Sequence, residues 1–473
     1  MEGDKMKQKR LTYYGLPLLG TILCLWYIKE ATYDVVYSDY IRIVNTYLPD
    51  VWKPENFFRP DVLTRIPVYY LVRIINVYFF HYSTTFEMAF GVLGLGLSGL
   101  ALARYCAGKQ VGLVWYGFLM FLLFGLDKWE MMANGTGCVH FLAFACFYYH
   151  YVVFDRVLYG DEKRFDRILL LVLPPVTTLA IAGPYCAVYS VVMALSYGFA
   201  WVKSCKESRG GIKPKMDWQF CLAGLAMVAV PFLLYMWSNS YALEDHDGAV
   251  AIGLFEALAK QPLFFPGFLL KSLASMVVGG ETISHWMEGG VLTDGGVYLM
   301  GALVAGAYGL ALYLNWRFCL YQKTLLPIML VFAGMGNHGI VLISRYIFLR
   351  EGYGMSSRYA LQYQAGILGI VLTFALVWKG MKEGAGRIRG LAMACCVVLL
   401  AGHGYTDYEE IKKAPYREAY GERIAQVALC YEDLDDDALR EAFDYRKGRE
   451  ESGKAVRRAL QTLKDNGLNV FGR

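Results

Sequence analysis

Apolar residues run along this chain in long blocks, and the short polar stretches between them carry most of the charge. A block near 20 residues is long enough for one helix to cross a hydrocarbon layer about 30 Å thick. Eleven blocks are read as spans, at residues 11–26, 86–103, 112–126, 139–154, 168–182, 187–202, 220–237, 297–314, 325–343, 361–378 and 391–401. The fifth and sixth meet at Gly183-Pro184-Tyr185, where the Gly-Pro pair predicts a turn and hence a helical hairpin. The fold expected is all-α, a polytopic membrane helical bundle of about 11 spans. Residues 1–404 would form the transmembrane module and residues 405–473 an extracytoplasmic helical tail.

The connections divide by charge. With the N-terminus inside, the inner segments carry Lys5 to Arg10, Arg104 and Lys109, then Arg156, Lys163, Arg164 and Arg167. Lys203 to Lys215, Arg317 and Lys323, and Lys379 to Arg389 continue the series. The short outer connections hold few cations. This is the positive-inside pattern, and it predicts a plasma (inner) membrane protein with a cytoplasmic N-terminus and an extracytoplasmic C-terminus. No small-x-small cleavage site follows Trp26, so the first block is read as an uncleaved span.

Composition narrows the class further. The chain of 473 residues is 56% hydrophobic and 18% charged, which excludes a disordered chain and a small disulfide-stapled fold. A net charge of +5 without a basic tract argues against a nucleic-acid partner. The eleven cysteines lie mostly within or beside apolar blocks, at spacings that fit neither zinc nor a disulfide ladder, and are read as buried small hydrophobes. Walker A, dinucleotide-binding, HExxH and nucleophile-elbow patterns are all missing, so no nucleotide or organic cofactor is expected.

Two outer loops are long, at about 30–83 and 238–294. In the first, residues 66–80 are apolar and aromatic but too short for a confident span, and read as a helix lying in the interface. In the second, residues 252–258 have helical period and residues 262–278 read as interfacial or re-entrant. The tail reads as two or three soluble helices, and its apolar end, Leu468 to Phe471, suggests docking onto the rest of the protein.

Three polar clusters require a reason, because ionisable groups near membrane depth are costly. Asp39 and Arg42 share a helical face soon after the first span; the carboxylate fits a general base or a divalent-cation ligand, and more plainly a surface ion pair. Asp127, Lys128, Trp129 and Glu130 form the second cluster, where a Trp beside carboxylates suits a sugar face with hydroxyls at its rim. The plainer reading is an interfacial Trp with snorkelling charges. Ser-Arg-Tyr occurs twice in the third, at Ser344-Arg345-Tyr346 and Ser357-Arg358-Tyr359, and two facing arginines make a fork for a phosphate. His338, beside Asn337, is either a substrate contact or a satisfied core histidine. Glu244-Asp245-His246-Asp247 could hold a divalent ion or simply be solvated, and Pro49-Asp50 and Pro60-Asp61 read as turn and cap residues.

This combination resembles the GT-C superfamily, polytopic glycosyltransferases that use polyprenyl-phosphate-linked sugars. Asp39 in Ser38-Asp39-Tyr40 looks like the first-loop carboxylate of that superfamily. Ser357-Arg358-Tyr359 and the Leu-Asn-Val-Phe ending look like those of bacterial members that modify cell-surface polysaccharides. The chain departs from the pattern in lacking an acidic doublet in the first loop and the Trp-Trp-Asp motif of oligosaccharyltransferases, so metal dependence stays open. The resemblance implies a polyprenyl-phosphate sugar donor drawn from the membrane lipid and a glycan or lipid-linked acceptor on the outer face. Asp39 would act as the base, Arg345, Arg358 and Arg42 would hold the donor phosphate, and Asp127, Trp129, Glu130, His338 and Tyr359 would contact substrate, with inversion at the anomeric carbon. The competing classes are a transporter or flippase of a lipid-linked or anionic solute, and a non-catalytic partner in envelope synthesis. The first of these would want broken helices in two matching halves, and no internal repeat is visible.

Overall fold

The computed structural model describes residues 2–57, 66–239, 249–250, 252–378, 380, 386–446 and 448–472, with residues 2–10 as backbone alone. Among these residues every regular element is helical. The α-helices are α1 Glu2–Ala31, α2 Asp39–Tyr47, α3 Pro67–Phe80, α4 Thr84–Gly108, α5 Leu113–Leu123, α6 Trp129–Ala133 and α7 Cys138–Tyr159. They continue with α8 Asp166–Val176, α9 Cys186–Arg209, α10 Trp218–Asn239, α11 Leu254–Lys260, α12 Phe264–Ala274 and α13 Gly280–Glu288. The remainder are α14 Asp294–Arg317, α15 Leu326–Arg345, α16 Ala360–Trp378, α17 Gly386–Leu429, α18 Asp436–Ala442 and α19 Ser452–Asp465.

Nine of these, α1, α4, α7, α9, α10 and α14 to α17, are long and apolar enough to cross a membrane. Their outward residues stay apolar: Leu18, Leu233 and Leu303 are 62%, 65% and 67% exposed. In water such a belt would aggregate, whereas in lipid it costs nothing, so the chain is a multi-pass membrane protein. The other two sequence blocks form shorter helices. In α8 the consecutive Pro174 and Pro175 remove two amide donors, and the helix gives way to a π-helical turn at Thr177–Ile181. The expected hairpin turn follows as the 3-10 segment Gly183–Tyr185.

The contacts fix the course of both short helices. Helices α4 and α7 run parallel: Gly91 lies against Cys138 and Gly94 against Leu142. At their other ends the Tyr105 hydroxyl and the Asp155 carboxylate both meet the Thr324 hydroxyl, at 2.6 and 2.8 Å. The chain between two parallel helices must return, and α5 carries it. The Val111 carbonyl at one end accepts from the Tyr13 hydroxyl, and the Leu126 amide at the other donates to Asp407 at 2.6 Å. Helix α8 likewise returns the chain from Arg156, bonded to Asp166 at 2.7 and 2.9 Å, to Tyr185, whose ring lies 4.4 Å from that of His140.

The bundle therefore has two dissimilar ends. One holds the short basic connections that carry Lys109, Lys163, Lys203, Arg317 and Lys323. The other, here called the loop end, holds α2, α3, α6, α11 to α13 and the tail. The expected interfacial helix is α3, and the helical stretches of the second long loop are α11 and α12. Helix α17 runs unbroken for 44 residues, so the expected division at residue 404 falls inside a helix. Beyond the bundle its last turns join α2, α18 and α19 around Val35, Val44, Phe443, Val456 and Leu460, a second core. The Asn469 side chain donates to the Tyr82 carbonyl at 3.0 Å and accepts from the Val36 amide at 3.1 Å. The apolar end of the chain is thus docked on the segment between α1 and α4.

Candidate functional site

At the loop end, α13 and the 3-10 turns Glu351–Met355 and Ser357–Tyr359 enclose a polar cleft of about 380 Å³. Glu281, His285, Glu288, Tyr353, Ser356 and Arg358 line it. Gly280 lets α13 start directly against the 3-10 turn, since a Cβ there would collide with the Met355 carbonyl oxygen. An apolar groove of about 450 Å³ opens between α14, α16 and α17 and is bordered by Met276 and Val277. Residues 276–277 border the groove and residues 280–281 the cleft, so one short segment joins an apolar slot to a polar mouth.

The cleft is organised by a tertiary ion pair. Arg358 Nη2 donates to Glu130 Oε1 at 2.5 Å, and the Ser356 and Ser357 hydroxyls both donate to Glu130 Oε2 at 3.2 Å. Glu281 Oε1 accepts the Ser357 amide at 3.1 Å. One turn of backbone, Ser356 to Arg358, is therefore held by two carboxylates from two other helices. The Arg358 side chain stays 49% exposed beside the cleft, so its fork keeps donors for a ligand.

Arg345 is placed differently. It leaves α15 with its guanidinium 5.9 Å from the Tyr359 ring centre. Among the described residues no carboxylate pairs with it, and its Nε is buried without an acceptor. Tyr359 is 4% exposed and its hydroxyl also lacks a partner, as do His140 Nδ1 and Trp129 Nε1. A buried polar atom left unpaired costs about 1–3 kcal/mol, so the Tyr359 hydroxyl and Arg345 Nε, side by side and both unpaired, mark a place suited to polar ligand atoms. Arg345 and Arg358 are both charge neighbours of Tyr185 and Tyr359, which puts the two guanidinium groups on one neighbourhood of the loop end.

The other expected site residues fall into three places. Asp127 and Lys128 are buried, with Lys128 Nζ donating to Asp127 at 2.8 Å and to the Gly125 carbonyl at 2.6 Å. Trp129 has one ring face covered by Arg417, 3.4 Å from its centre, so a sugar could stack only on the other face. Arg417 in turn bonds the Tyr27 hydroxyl at 2.7 Å and pairs with Glu410. His338 is a core residue: Nδ1 meets the Ser272 hydroxyl at 3.0 Å, Nε2 meets Met276 Sδ at 3.0 Å, and the ring stacks on Tyr363.

Asp39 and Arg42 lie on α2. Asp39 is exposed, Arg42 sits among Asp39, Arg73 and Tyr47, and neither is among the residues that line the cleft. The segment reaches the cleft neighbourhood through Tyr37, a charge neighbour of Glu130 and Arg417. Tyr40 donates to the buried Glu87 at 2.8 Å; burial and then Glu87 hold its phenol well above the usual value, so it remains a donor. Asp34 is engaged as a cap at the start of α4, accepting from the Thr84 amide at 2.7 Å, the Thr84 hydroxyl at 2.8 Å and the Ser83 hydroxyl at 2.9 Å.

Sequence reasoning missed Glu281. The only signal for it was Gly279-Gly280, a pair that permits close backbone approach, directly before it. Glu410 and Arg417 were also missed, because α17 was read as ending near residue 401. The acidic run Glu244 to Asp247 and Pro60-Asp61 lie outside the described residues. Among the described residues no three His, Cys, Asp or Glu side chains converge as a metal site. No protein-family description, curated protein or solved structure matches the chain.

Proposed function

We propose that this protein is a membrane glycosyltransferase of GT-C type that takes a sugar from a polyprenyl-phosphate donor and gives it to an envelope glycan or lipid-linked acceptor at the loop end. The observation that carries the reading is Arg345, a part-buried guanidinium with no carboxylate partner among the described residues, which shares the charge neighbours Tyr185 and Tyr359 with Arg358 of the polar cleft. A polyprenyl phosphate has two parts, an apolar tail and an anionic head.

In this reading the tail lies in the groove between α14, α16 and α17 and the phosphate lies between Arg345 and Arg358. Glu281 is the base, because it lines the cleft with one oxygen committed to the Ser357 amide and the other without a hydrogen bond among the described residues. It takes the proton of an acceptor hydroxyl as that oxygen attacks the anomeric carbon. The bond from that carbon to the phosphate oxygen breaks, and its electron pair leaves on the phosphate, where the two guanidinium groups stabilise it. Attack opposite the leaving phosphate inverts the anomeric centre. Glu130 positions Arg358. Asp39, the base expected from the family pattern, is exposed on α2, and the cleft offers a better-placed carboxylate.

We also propose that α5 and α8 cross the bilayer, for eleven crossings in all, with the basic end in the cytoplasm. Support comes from the parallel pairing of α4 with α7 and from the cations of the short connections. The plasma membrane is the expected location. The test is to incubate the purified protein with a panel of polyprenyl-phosphate sugars and an acceptor glycan extract. Loss of one donor with matching release of polyprenyl phosphate supports the reading; no turnover with any donor and no lipid-phosphate binding overturns it.

A further inference from the structure

At the opposite end of the bundle a second groove, of about 610 Å³, runs between α1, α4, α7 and α8. Leu97, Leu100, Leu142 and Leu173 form its walls, and Arg104 and Lys163 stand at its rim. Arg104 lies in the last turns of α4, and Lys163 lies in the connection from α7 to α8, at the basic end. Leu97 is seven residues earlier on α4, about 10 Å deeper along the helix axis.

The charges around the rim do not cancel. Asp166 is bonded to Arg156, Glu162 to Arg167, and Asp155 and Asp161 face Lys109. Each nearby acid thus faces another cation, Asp155 and Asp161 sharing Lys109, and among the described residues none forms an ion pair with Arg104 or Lys163. The two cations lie close enough to repel: burial, then Arg104, then Arg156 lower the Lys163 ammonium from its ordinary value, and the nearby Asp166, committed to Arg156, offsets this only in part. Two cations outside any ion pair among the described residues, set above an apolar wall, are complementary to an anion that carries hydrocarbon.

We infer that this groove binds an anionic phospholipid of the leaflet at the basic end, its phosphate between Arg104 and Lys163 and one acyl chain along Leu97, Leu100, Leu142 and Leu173. A zwitterionic lipid would bring its own cation to the same rim and lose the advantage, so the site selects by headgroup charge. The site is separate from the loop-end cleft and does not depend on the reaction there.

The test is native mass spectrometry of the detergent-purified protein with phosphatidylglycerol or phosphatidylcholine added at equal concentration. The protein should retain phosphatidylglycerol preferentially. An Arg104→Gln/Lys163→Gln double variant should lose that preference, with affinity falling on the order of tenfold to thirtyfold, the effect of two juxtamembrane cations. Among the described residues neither side chain makes a hydrogen bond or ion pair, so the variant should fold; elution as the same monodisperse peak checks this. Leu97→Trp, which fills the groove and keeps both cations, should lose phosphatidylglycerol as well. Equal retention of both lipids, unchanged retention by both variants, or thermal stabilisation by inorganic phosphate equal to that by phosphatidylglycerol would each overturn the site.

Discussion

Arg358 and Glu130 meet at 2.5 Å although 228 residues separate them, and their pairing ties α6 to the turn that opens α16. The pair sits half exposed at a cleft, where an isolated ion pair contributes little to stability. Its value lies in orientation: it holds a guanidinium that lines the cleft and stays 49% exposed. Arg358→Lys keeps the charge and loses the fork, so donor affinity should fall about tenfold, the loss of one charge-assisted hydrogen bond, while thermal stability changes little. Titration with polyprenyl phosphate measures this. Unchanged affinity would remove Arg358 from the phosphate site.

Glu281→Gln retains the acceptor for the Ser357 amide and removes the base. Turnover should fall by ~10²-fold or more with donor binding preserved. Asp39→Asn, at an exposed position on α2, should turn over near normally. The opposite result for the pair would return the base to Asp39 and make Glu281 a positioning residue.

Asp34 serves as the contrast case, a carboxylate that holds structure. It accepts from Ser83, Thr84 and, at 3.4 Å, Asn469, so it caps α4 and fastens the docked tail at once. Asp34→Ala should cost about 1–3 kcal/mol by stranding those donors, visible as a lower midpoint of thermal unfolding in detergent. Asn469→Ala should loosen the tail and raise proteolysis between α17 and α19. If both variants unfold like the parent, the tail is not anchored as described.

Gly280→Ala should act on the cleft without touching its charges. A methyl group there collides with the Met355 carbonyl, so the turn at Glu351–Met355 must move away from α13. The expected result is a larger loss of turnover than of stability, because only one wall of the cleft shifts. Wild-type kinetics would mean that the wall is free to yield.

How much of this was legible along the chain depends on the range of the interaction. Among the described residues nine of the eleven apolar blocks form helices long enough to cross a membrane, because the need to cross is local and written in consecutive residues. The interruption of α8 was less legible, since Pro174-Pro175 permits a kink, a stop or the π turn that forms. Arg345 and Arg358 stood out because cations near membrane depth need a reason. Glu281 did not, since it lies in a stretch with no periodic pattern. The partnership of Glu130 with Arg358 is tertiary, and no single sequence states which distant carboxylate will neutralise which arginine. His338 was ambiguous for the same reason: Ser272, Met276 and Tyr363 satisfy it from three other segments.

The most direct test of the central claim is single-turnover transfer from a radiolabelled polyprenyl-phosphate sugar by the parent protein and by Arg345→Ala. Among the described residues no carboxylate pairs with this arginine, so its removal should leave the fold intact, which an unchanged midpoint of thermal unfolding in detergent checks. The account predicts sugar transfer with stoichiometric release of polyprenyl phosphate by the parent. It predicts at least a roughly tenfold loss in both donor binding and rate for Arg345→Ala, as expected for a charge-assisted contact that strengthens on the leaving phosphate. Parent-like transfer by Arg345→Ala would contradict the phosphate site, and a parent protein that binds no polyprenyl phosphate would contradict the function.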